Sequence, residues 1–325
     1  MFYDILCMMN PQEIKKLEQK TLRALEPIHK KTVIAAISGG PDSIFLLYFL
    51  VQTNAKIIVA HLDHQLRTSS KKEAKFIEEQ AKKHSLEYEF CTKPIATIAT
   101  EQKIGIEEAG RNARYQFFNQ LAEKHQAQYI LTAHHADDNL ETKLLNFTRG
   151  AAIDGLSGMP TFNGNLFRPL LDITKQEILS YLKAKNITYL QDESNQDTKY
   201  SRNFLRHEVI PKLKSLNPNL TSTSAKNSNL LRETADFLNQ EAKTWLKQNR
   251  THNQIPAAPF RQLHPALQRS IIHTLYKDTL GHTQNLESSH IQEVLQTITG
   301  QHGNKTKSLS GLTFYLKSGV ITVEK

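Results

Sequence analysis

Cysteine is scarce in this sequence, where Cys7 and Cys91 are the two thiols among 325 residues. Neither belongs to a CxxC pair. The sequence therefore offers no disulfide framework and no cysteine set for a structural zinc site or an iron–sulfur cluster. Reduced thiols are the simple interpretation, and they fit a cytoplasmic location.

Long hydrophobic runs are also missing, because no apolar stretch approaches the roughly 20 residues that cross a bilayer. The opening MFYDILCMMNPQE has neither a basic leader nor a small-residue cleavage site. We therefore interpret residues 1–30 as an N-terminal helical extension and not as a signal peptide. A composition of 39% hydrophobic and 22% charged residues is ordinary for a globular protein, and we expect no membrane partner.

Basic side chains outnumber acidic ones by 41 to 32, which gives a formal net charge of +9. This excess favours a polyanionic partner, although charge alone does not distinguish a nucleic-acid-binding protein from other basic proteins. The surplus is denser in residues 221–325, which hold 12 basic and 7 acidic side chains.

Short apolar runs alternate with amphipathic stretches from Val33 to about Thr148. The runs predict strands and the stretches predict helices, with strands at Val33–Ile37, Ile57–His61, Glu87–Cys91 and Tyr129–Ala133, and helices at Ile44–Gln52, Ser70–His84 and Glu107–Gln126. This alternation predicts an α/β fold with a Rossmann-like, mainly parallel sheet. In such sheets, ligands bind beyond the carboxyl ends of the strands.

The pattern changes after this region. Residues 150–170 are rich in Gly, Pro and Asn, and we interpret them as a loop. Thr174 and Glu177 have the spacing of a capping box at the start of a helix. Phe204–Leu213 returns to helical spacing.

A shift toward Asn, Ser, Thr and Pro near residue 217 predicts a domain boundary. We place a catalytic domain at 31–216 and a mostly helical domain at 217–325, which ends in a β-hairpin turning at Ser318-Gly319. Trp245 and Tyr276 are interpreted as core residues of the second domain.

One loop follows the first predicted strand directly, and its residues are Ser38, Gly39, Gly40, Pro41, Asp42 and Ser43. Glycines let a backbone approach a ligand closely. The start of the next helix supplies free N–H groups and the positive end of a dipole, and the serines add hydroxyl donors. Together these features predict a nest for pyrophosphate.

A plain glycine-rich turn with an ordinary N-cap is the alternative interpretation of this loop. The segment is neither the GxGxxG of dinucleotide folds nor a P-loop with its lysine. SGGPDS resembles the PP-loop of the N-type ATP pyrophosphatase superfamily, whose members are adenine nucleotide alpha hydrolase-like in fold. The resemblance implies cleavage of ATP to AMP and pyrophosphate during adenylation of a substrate.

Four further segments sharpen this resemblance. They are AHLDHQLR (Ala60–Arg67), GIEEAGRNARYQFF (Gly105–Phe118), TAHHADDNLET (Thr132–Thr142) and DESNQDTKYSRNFLRHEVIPKL (Asp192–Leu213). With the loop, they resemble the tRNA(Ile)-lysidine synthases over roughly residues 33–213, whereas the C-terminal third matches only in general character.

The resemblance implies a ligase that acts on the isoleucine tRNA with a CAU anticodon. The C2 oxygen of the wobble cytidine attacks the α-phosphate of ATP, and free L-lysine then displaces AMP to give lysidine. The implied cofactors are ATP and Mg²⁺, and the implied location is the cytoplasm, with a homodimer left open. The C-terminal domain would then bind the tRNA.

Two carboxylates follow the fourth predicted strand. Asp138 and Glu141 are three residues apart on a predicted helix, so they share one face. They could hold Mg²⁺ or attract the lysine ammonium, and with Asp42 they are the candidate catalytic acids. A solvated acidic helix start is the alternative.

Histidines and arginines flank these acids. His134 and His135 are interpreted as substrate-contacting or orienting groups, because zinc would need further ligands. Arg111 and Arg114 could clamp a phosphate, and we count them among the catalytic residues. Salt bridges to Glu107 or Glu108 are the alternative interpretation for the two arginines.

Polar residues after the second predicted strand are candidates for binding the adenosine of ATP: His61, Asp63, His64 and Arg67. Ordinary loop polarity is their alternative. Another basic cluster, made of Arg202, Asn203, Arg206 and His207, is a candidate tRNA-contacting surface, with a solvated helix face as its alternative.

Three other functions were weighed. A PP-loop tRNA thiolase would need catalytic or cluster-binding cysteines, and Cys91 stands alone in the sheet region. A PP-loop amidotransferase would normally bring a glutaminase domain or its own substrate motifs. A non-catalytic RNA-binding module on an inactive fold is disfavoured by the intact loop and the paired acids.

Overall fold

The structure is a computed structural model that describes residues 9–65, 70–191, 201–281, 286, 288–300 and 304–325. The chain forms two compact units, which are treated separately here. The first contains Met1–Glu141 and Met159–Ala225, and the second contains Thr142–Gly158 and Lys226–Lys325.

The first unit alternates strands and helices as the sequence predicts. Its strands are β1 (Thr32–Ala36), β2 (Lys56–Asp63), β3 (Glu87–Thr92), β4 (Tyr129–Leu131), β5 (Phe162–Asn163) and β6 (Leu166–Phe167). The helices that lie wholly or partly in it are α1 (Pro11–Ala24), α2 (Pro41–Leu50), α3 (Ser70–Lys83), α4 (Ile95–Gln102), α5 (Ile106–Lys124), α6 (Ala136–Thr148), α8 (Lys175–Ala184), α9 (Ser201–Phe204), α10 (Ile210–Leu216) and α11 (Leu220–Asn249).

The six strands form one sheet in the order β3-β2-β1-β4-β6-β5. Every neighbouring pair is parallel except β5 with β6. The predicted Rossmann-like, mainly parallel α/β fold is therefore confirmed. The parallel arrangement brings the carboxyl ends of β1, β2 and β4 to one edge, where a ligand site is expected.

Both faces of this sheet are buried, because helices cover each of them. Val33 and Ala35 of β1 pack into the core that includes α2 and α8. Ile34, between them, points to the opposite core, which includes α5. This two-residue alternation explains why β1 reads as a continuous apolar run.

The prediction that residues 150–170 form only a loop was wrong. This segment contains the short helix α7 (Ile153–Leu156) and the hairpin of β5 and β6. Gly164 supplies the left-handed turn between the two strands with a φ of 60°. Strands of two residues leave no detectable periodicity, so composition alone suggested a loop.

The helix predicted at Phe204–Leu213 is present but not continuous. A π-helical turn at Leu205–Val209 separates α9 from α10, and Ile210 N–H donates to the carbonyl of Leu205. The cause is Pro211, which has no N–H and whose ring would clash with the carbonyl four residues earlier in an α-helix.

The second unit combines helices with a four-stranded antiparallel sheet in the order β7-β10-β9-β8. The elements that lie wholly in it are α7, β7 (Gln254–Pro256), α12 (Ala257–Gln262), α13 (Pro265–Leu280), α14 (Ser288–Thr299), β8 (Lys305–Leu309), β9 (Leu312–Lys317) and β10 (Val320–Glu324). Ser318 and Gly319 turn the last hairpin with φ angles of 51° and 78°, as a two-residue hairpin turn requires.

The core of the second unit lies between these helices and the sheet. Tyr276 is buried there, and Trp245 packs at its edge with an edge-on contact to Phe260. Among the residues that the structure describes, no helix combines the length and apolar character needed to cross a membrane.

Candidate active site

A cavity of about 510 Å³ opens in the first unit where the carboxyl ends of β1, β2 and β4 meet. Its walls include Ser38 and Asp42 of the SGGPDS loop and residues of three further motif segments. These residues are His61 of Ala60–Arg67, Arg114 of Gly105–Phe118, and His134 and Asp138 of Thr132–Thr142. The structure thus brings together side chains that the sequence spreads over about a hundred positions.

The SGGPDS loop is held in shape by its own serines. Ser38 N–H donates to Ser43 Oγ at 3.2 Å, and Ser43 Oγ donates to the Gly40 carbonyl at 3.0 Å. Gly39 has a φ of 83°, a left-handed conformation that costs little only for glycine. The Ser43 hydroxyl is therefore engaged within the loop, so the loop's backbone is the better candidate for a phosphate ligand.

Helix α2 begins within this loop, with Gly40 as its N-cap and Pro41 in its first turn. The first-turn amides of Asp42 and Ser43 have no preceding turn to bond to, so they are available to an anion. A Cβ built on Gly40 would meet only the Ser38 hydroxyl, at 3.7 Å. Contacts inside the protein therefore do not explain why this position is glycine.

Asp42 forms an ion pair that sequence reasoning missed. Lys175 Nζ donates to Asp42 Oδ1 at 2.6 Å, and Lys175 N–H donates to Asp137 Oδ2 at 2.8 Å. Lys175 is the first residue of α8, and the capping box of Thr174 with Glu177 is confirmed. The cap pattern was visible in the sequence, but nothing local linked this lysine to a loop more than 130 residues earlier.

Asp138 and Glu141 lie on one face of α6, and Arg206 joins them. Arg206 Nε donates to Glu141 Oε1 at 2.6 Å, and Nη2 donates to Glu141 Oε2 at 3.0 Å. The same Nη2 lies 3.4 Å from Asp138 Oδ1. Glu141 is only 3% exposed, so the solvated acidic helix start does not describe it.

The pKa values of the two carboxyls shift in opposite directions. Burial raises the pKa of Glu141 above its ordinary value, although Arg206 opposes this effect. Burial acts on Asp138 in the same direction, but His135, His134 and a backbone hydrogen bond outweigh it and hold the pKa of Asp138 low. The pair therefore combines a firmly ionised acid with one that binds a proton more readily.

His135 lies between two carboxylates. Its backbone N–H donates to Asp138 Oδ2 at 3.0 Å, and its ring Nε2 lies 3.5 Å from that oxygen. The same Nε2 lies 3.7 Å from Asp42 Oδ1. His135 therefore lies close to both acids, and an orienting role for it stays a prediction.

His134 has a different environment. Its Nδ1 is 2.8 Å from Thr132 Oγ1. Burial lowers the pKa of His134 to about 4, and the positive charges of Arg168, Arg114 and Arg111 add to this effect. The ring is therefore neutral near pH 7.

Three arginines lie near Tyr115, which is part of the cavity wall. Arg111 lies over the Tyr115 ring at 5.2 Å, and a side-chain hydrogen bond links Tyr115 with Arg168. Arg114 lines the cavity itself. Arg168, which is 4% exposed, was missed by sequence reasoning, although a charged residue inside the apolar run FRPLL was a usable signal.

A family model described as a PP-loop domain matches residues 13–213. The chain belongs to the PP-loop family.

Relatives of this PP-loop chain carry a consistent name. It is 34% identical over 275 residues to a tRNA(Ile)-lysidine synthase of Porphyromonas gingivalis, covering 84% of this chain and 59% of the relative. It is also 34% identical over 281 residues to that of Bacillus subtilis, covering 81% of this chain and 59% of the relative. The chain thus spans less than two thirds of the length of these curated relatives.

A solved structure shares the fold. A U34-tRNA thiolase from Methanococcus maripaludis superposes with a TM-score of 0.57 at 16% identity, covering 68% of this chain and 80% of the thiolase. At this identity, the similarity supports the PP-loop fold and nothing finer.

The remaining predicted site residues of the PP-loop chain fall into two groups. Asp63 and His64 line the cavity together with His61. Arg67 lies outside the described residues, and so do residues 192–200 of the fourth motif segment. Arg202 is exposed and Asn203 is half-buried at the start of α9, and Arg206 of that cluster reaches the acids.

The predicted Mg²⁺ site is the pair of acids on α6. Asp138 and Glu141 supply the carboxylate oxygens that the ion prefers. Both Glu141 oxygens accept hydrogen bonds from Arg206, whereas Asp138 Oδ2 accepts a hydrogen bond from the backbone N–H of His135. Within the described residues, no group of three or more metal-ligating side chains forms, so the protein would supply only part of the coordination of such an ion.

Proposed function

We propose that this chain joins lysine to C2 of the wobble cytidine in the isoleucine tRNA with a CAU anticodon. ATP would be cleaved to AMP and pyrophosphate through an adenylated base, and the product would be lysidine. The observation that carries the proposal is that the PP-loop and Asp138 line the same cavity, with Glu141 beside Asp138. The similarity to proteins named tRNA(Ile)-lysidine synthase supports it.

The loop would hold the phosphates of ATP during adenylation. Backbone N–H groups of Asp42 and Ser43 sit at the start of α2, where the helix dipole favours an anion. Arg111 and Arg114 lie near the same cavity and would stabilise the charge of the phosphates. Mg²⁺ would neutralise further charge on the triphosphate when held by Asp138, with Glu141 available only if Arg206 moves.

The acids would then serve the lysine step. Asp138 keeps its negative charge near neutral pH, so it attracts the ε-ammonium of lysine. The amine must lose a proton before it attacks C2. Glu141, whose pKa is raised by burial, is the better proton acceptor of the two carboxylates. Free lysine as the second substrate is part of this proposal.

The tRNA would be held by basic residues outside the cavity. Arg202 is exposed at the start of α9, close in sequence to Arg206 in the acidic cluster. The second unit carries the denser positive charge and would bind the tRNA backbone, which is a sequence-independent contact. A cytoplasmic location belongs to the same proposal.

The decisive experiment is mass analysis of nucleosides from a CAU-anticodon isoleucine tRNA transcript after incubation with the protein, ATP and lysine. We expect lysidine at the wobble position, and pyrophosphate release that requires both the tRNA and lysine for full turnover. Arg23→Ala, on the surface of α1, is the control variant and should behave as the wild type. Unmodified cytidine in the presence of all substrates would refute the proposal.

The same experiment separates the lysidine reaction from thiolation. A thiolase would incorporate sulfur in place of lysine, and it would depend on a catalytic cysteine. Cys91 is the described cysteine, half-buried in β3. Product formation by a Cys91→Ala variant at the wild-type rate would fit the lysidine reaction.

A further inference from the structure

An acid stands in the loop that is proposed to bind the phosphates of ATP. Asp42 lies in the first turn of α2, and its side chain lines the cavity. A carboxylate and a phosphate are both anions, and they repel each other most strongly where little water separates them. Binding of ATP at this loop therefore requires a positive group close to Asp42.

Lys175 is the cation in contact with this acid. Its Nζ donates to Asp42 Oδ1 at 2.6 Å, which is short even for a charge-assisted hydrogen bond. His135 Nε2 lies 3.7 Å from the same oxygen, which is beyond hydrogen-bond distance. Arg206 acts on Asp42 through space, while its donors face the acids of α6. Within the ranges that the structure describes, the hydrogen bond to the Asp42 carboxylate thus comes from Lys175.

The backbone of Lys175 is fixed independently of its side chain. Its N–H donates to Asp137 Oδ2 at 2.8 Å. Thr174, the residue before it, is the N-cap of α8. The carbonyl of Ile173 accepts a hydrogen bond from Ala136 N–H at 2.8 Å, which links the start of α8 to the start of α6. The side chain of Lys175 therefore extends from a fixed point beside the site.

The charge of Asp137 has a cationic partner of its own. Lys214 Nζ donates to Asp137 Oδ1 at 3.0 Å, and Thr221 Oγ1 donates to the same oxygen at 3.1 Å. Because Asp137 is paired with Lys214, the ammonium of Lys175 is not needed there and can neutralise Asp42.

Packing holds the two ends of the Asp42–Lys175 ion pair at a fixed separation. Asp42 and Lys175 lie in the first turns of α2 and α8. Phe45 of α2 contacts Tyr181 of α8 edge-on, with ring centroids 5.4 Å apart, and both rings are buried. An ion pair between two packed helices loses less side-chain freedom than a pair on a flexible surface, so it is less easily broken.

We propose that Lys175 is a positioning residue that neutralises Asp42 and so allows the SGGPDS loop to accept the phosphates of ATP. The inference rests on the proposed use of ATP at this loop, and it assigns a role to a residue outside the loop and outside the other motif segments. Among the described residues, the cavity wall includes Asp42 and not Lys175. Lys175 would therefore act through Asp42 and not by contact with the nucleotide.

The test is equilibrium binding of ATP to the full chain without Mg²⁺, tRNA or lysine, so that no metal ion neutralises Asp42. We expect Lys175→Met to bind ATP about 10- to 100-fold more weakly than the wild type, because an unneutralised carboxylate then lies beside the phosphates. The double variant Lys175→Met/Asp42→Asn should bind ATP within about threefold of the wild type, because the repelling charge is gone as well.

Three results would overturn the inference. The first is wild-type binding by Lys175→Met. The second is a double variant that binds as weakly as Lys175→Met, because Lys175 would then contact the phosphates or support the shape of the loop. The third is a wild type that binds ATP only when Mg²⁺ is present, because the metal ion and not Lys175 would then neutralise the loop.

Lys185→Met is the matched control. Lys185 is the C-cap residue of the same helix and pairs with Glu18 at 2.9 Å. The side chains of that pair are 35% and 31% exposed, close to the 34% and 28% of Lys175 and Asp42. Lys185→Met therefore removes a similar ion pair about 15 Å away along α8, and it should bind ATP as the wild type does. A loss as large as that of Lys175→Met would overturn the inference, because it would assign the effect to the helix.

Urea unfolding shows which variants are folded. If Lys175→Met does not fold, Lys175→Gln replaces it, because glutamine also removes the charge and is a good helix former. The same loss of ATP binding is expected for Lys175→Gln, and wild-type binding by this variant would equally overturn the inference.

Lysidine formation by the wild type separates this inference from the proposed function. If the wild type forms lysidine and Lys175→Met binds ATP as tightly as the wild type, only the role of Lys175 is wrong. If the wild type neither binds ATP in the presence of Mg²⁺ nor forms lysidine, the proposed function and the role of Lys175 both fail.

Discussion

Replacing Arg206 with methionine should expose how much the acidic pair depends on its guanidinium. In the structure Arg206 donates to both oxygens of Glu141, at 2.6 and 3.0 Å, and Glu141 is 3% exposed. Removing one partner of a buried ion pair costs about 3–5 kcal/mol, because the other charge stays buried. The Arg206 side chain is itself 36% exposed, so solvent screens the pair. We therefore expect a loss of about 2 kcal/mol near pH 7.

The loss should depend on pH in a defined direction. Burial raises the pKa of Glu141 in the folded protein, so the folded state binds a proton more readily than the unfolded chain. Stability therefore falls as pH rises above about 4.3, the ordinary glutamate pKa, and levels off above the folded pKa. Without Arg206 the pKa of Glu141 rises further. The difference between wild type and Arg206→Met should be small near pH 4 and large at pH 8.

Hydrogen exchange of peptides from α6 measures this locally, because it reports the opening of the helix that carries Glu141. The control is the double variant Arg206→Met/Glu141→Gln, which removes both charges and should recover much of the lost protection. A pH-independent loss in Arg206→Met would refute this account of the pair. So would a double variant that is no more protected than the single one.

Three further predictions concern the loop and the second unit. Gly39→Ala should lower the free energy of unfolding by about 1 kcal/mol or more, because Gly39 has a left-handed backbone conformation. Gly40→Ala should leave stability within about 0.5 kcal/mol yet weaken ATP binding at least about tenfold. Urea unfolding and ATP titration test this, and unchanged ATP binding by Gly40→Ala would contradict the prediction that the loop binds phosphate. Asp42→Asn should reduce tRNA-dependent pyrophosphate release about 10- to 100-fold, because a charge-assisted contact is lost, while the circular dichroism spectrum stays unchanged. A wild-type rate would contradict the prediction that Asp42 is a catalytic residue. Tyr276→Phe should destabilise the second unit by about 1 kcal/mol, because the hydroxyl donates to the Leu309 carbonyl at 2.9 Å; an unchanged urea midpoint would count against that bond.

The sheet of the first unit could be predicted because its signals are local. Residues in β1 are apolar without interruption, since helices cover both faces of the sheet. The two-residue strands β5 and β6 escaped, because they are created by the pairing of β6 with β4 and of β5 with β6, and not by periodicity. The π turn escaped because the helical spacing of Phe204–Leu213 took no account of Pro211, whose missing N–H acts one turn earlier.

The candidate site was predictable to the extent that its residues follow strands. Asp42, His61, His134 and Asp138 line one cavity, as their positions at the carboxyl ends of parallel strands indicated. The partners of the acids were not predictable from spacing. Lys175 reaches Asp42 across 133 positions, and Arg206 reaches Glu141 across 65, so only the tertiary fold pairs them. The roles of all these residues stay predictions until the variants are measured.

The π turn beside Arg206 has a consequence for insertions and deletions. Ile210 N–H bonds to a carbonyl five positions back, one more than in an α-helix, so this turn contains one residue in excess of the α-helical repeat. Deleting a single residue between Leu205 and Val209 would remove this extra residue. The side chains before the deletion would then be rotated by about 100° around the helix axis relative to α10. Arg206 would then no longer form its ion pair with Glu141. A one-residue gap at this place in a relative should therefore be accompanied by a change at the position of Arg206 or Glu141.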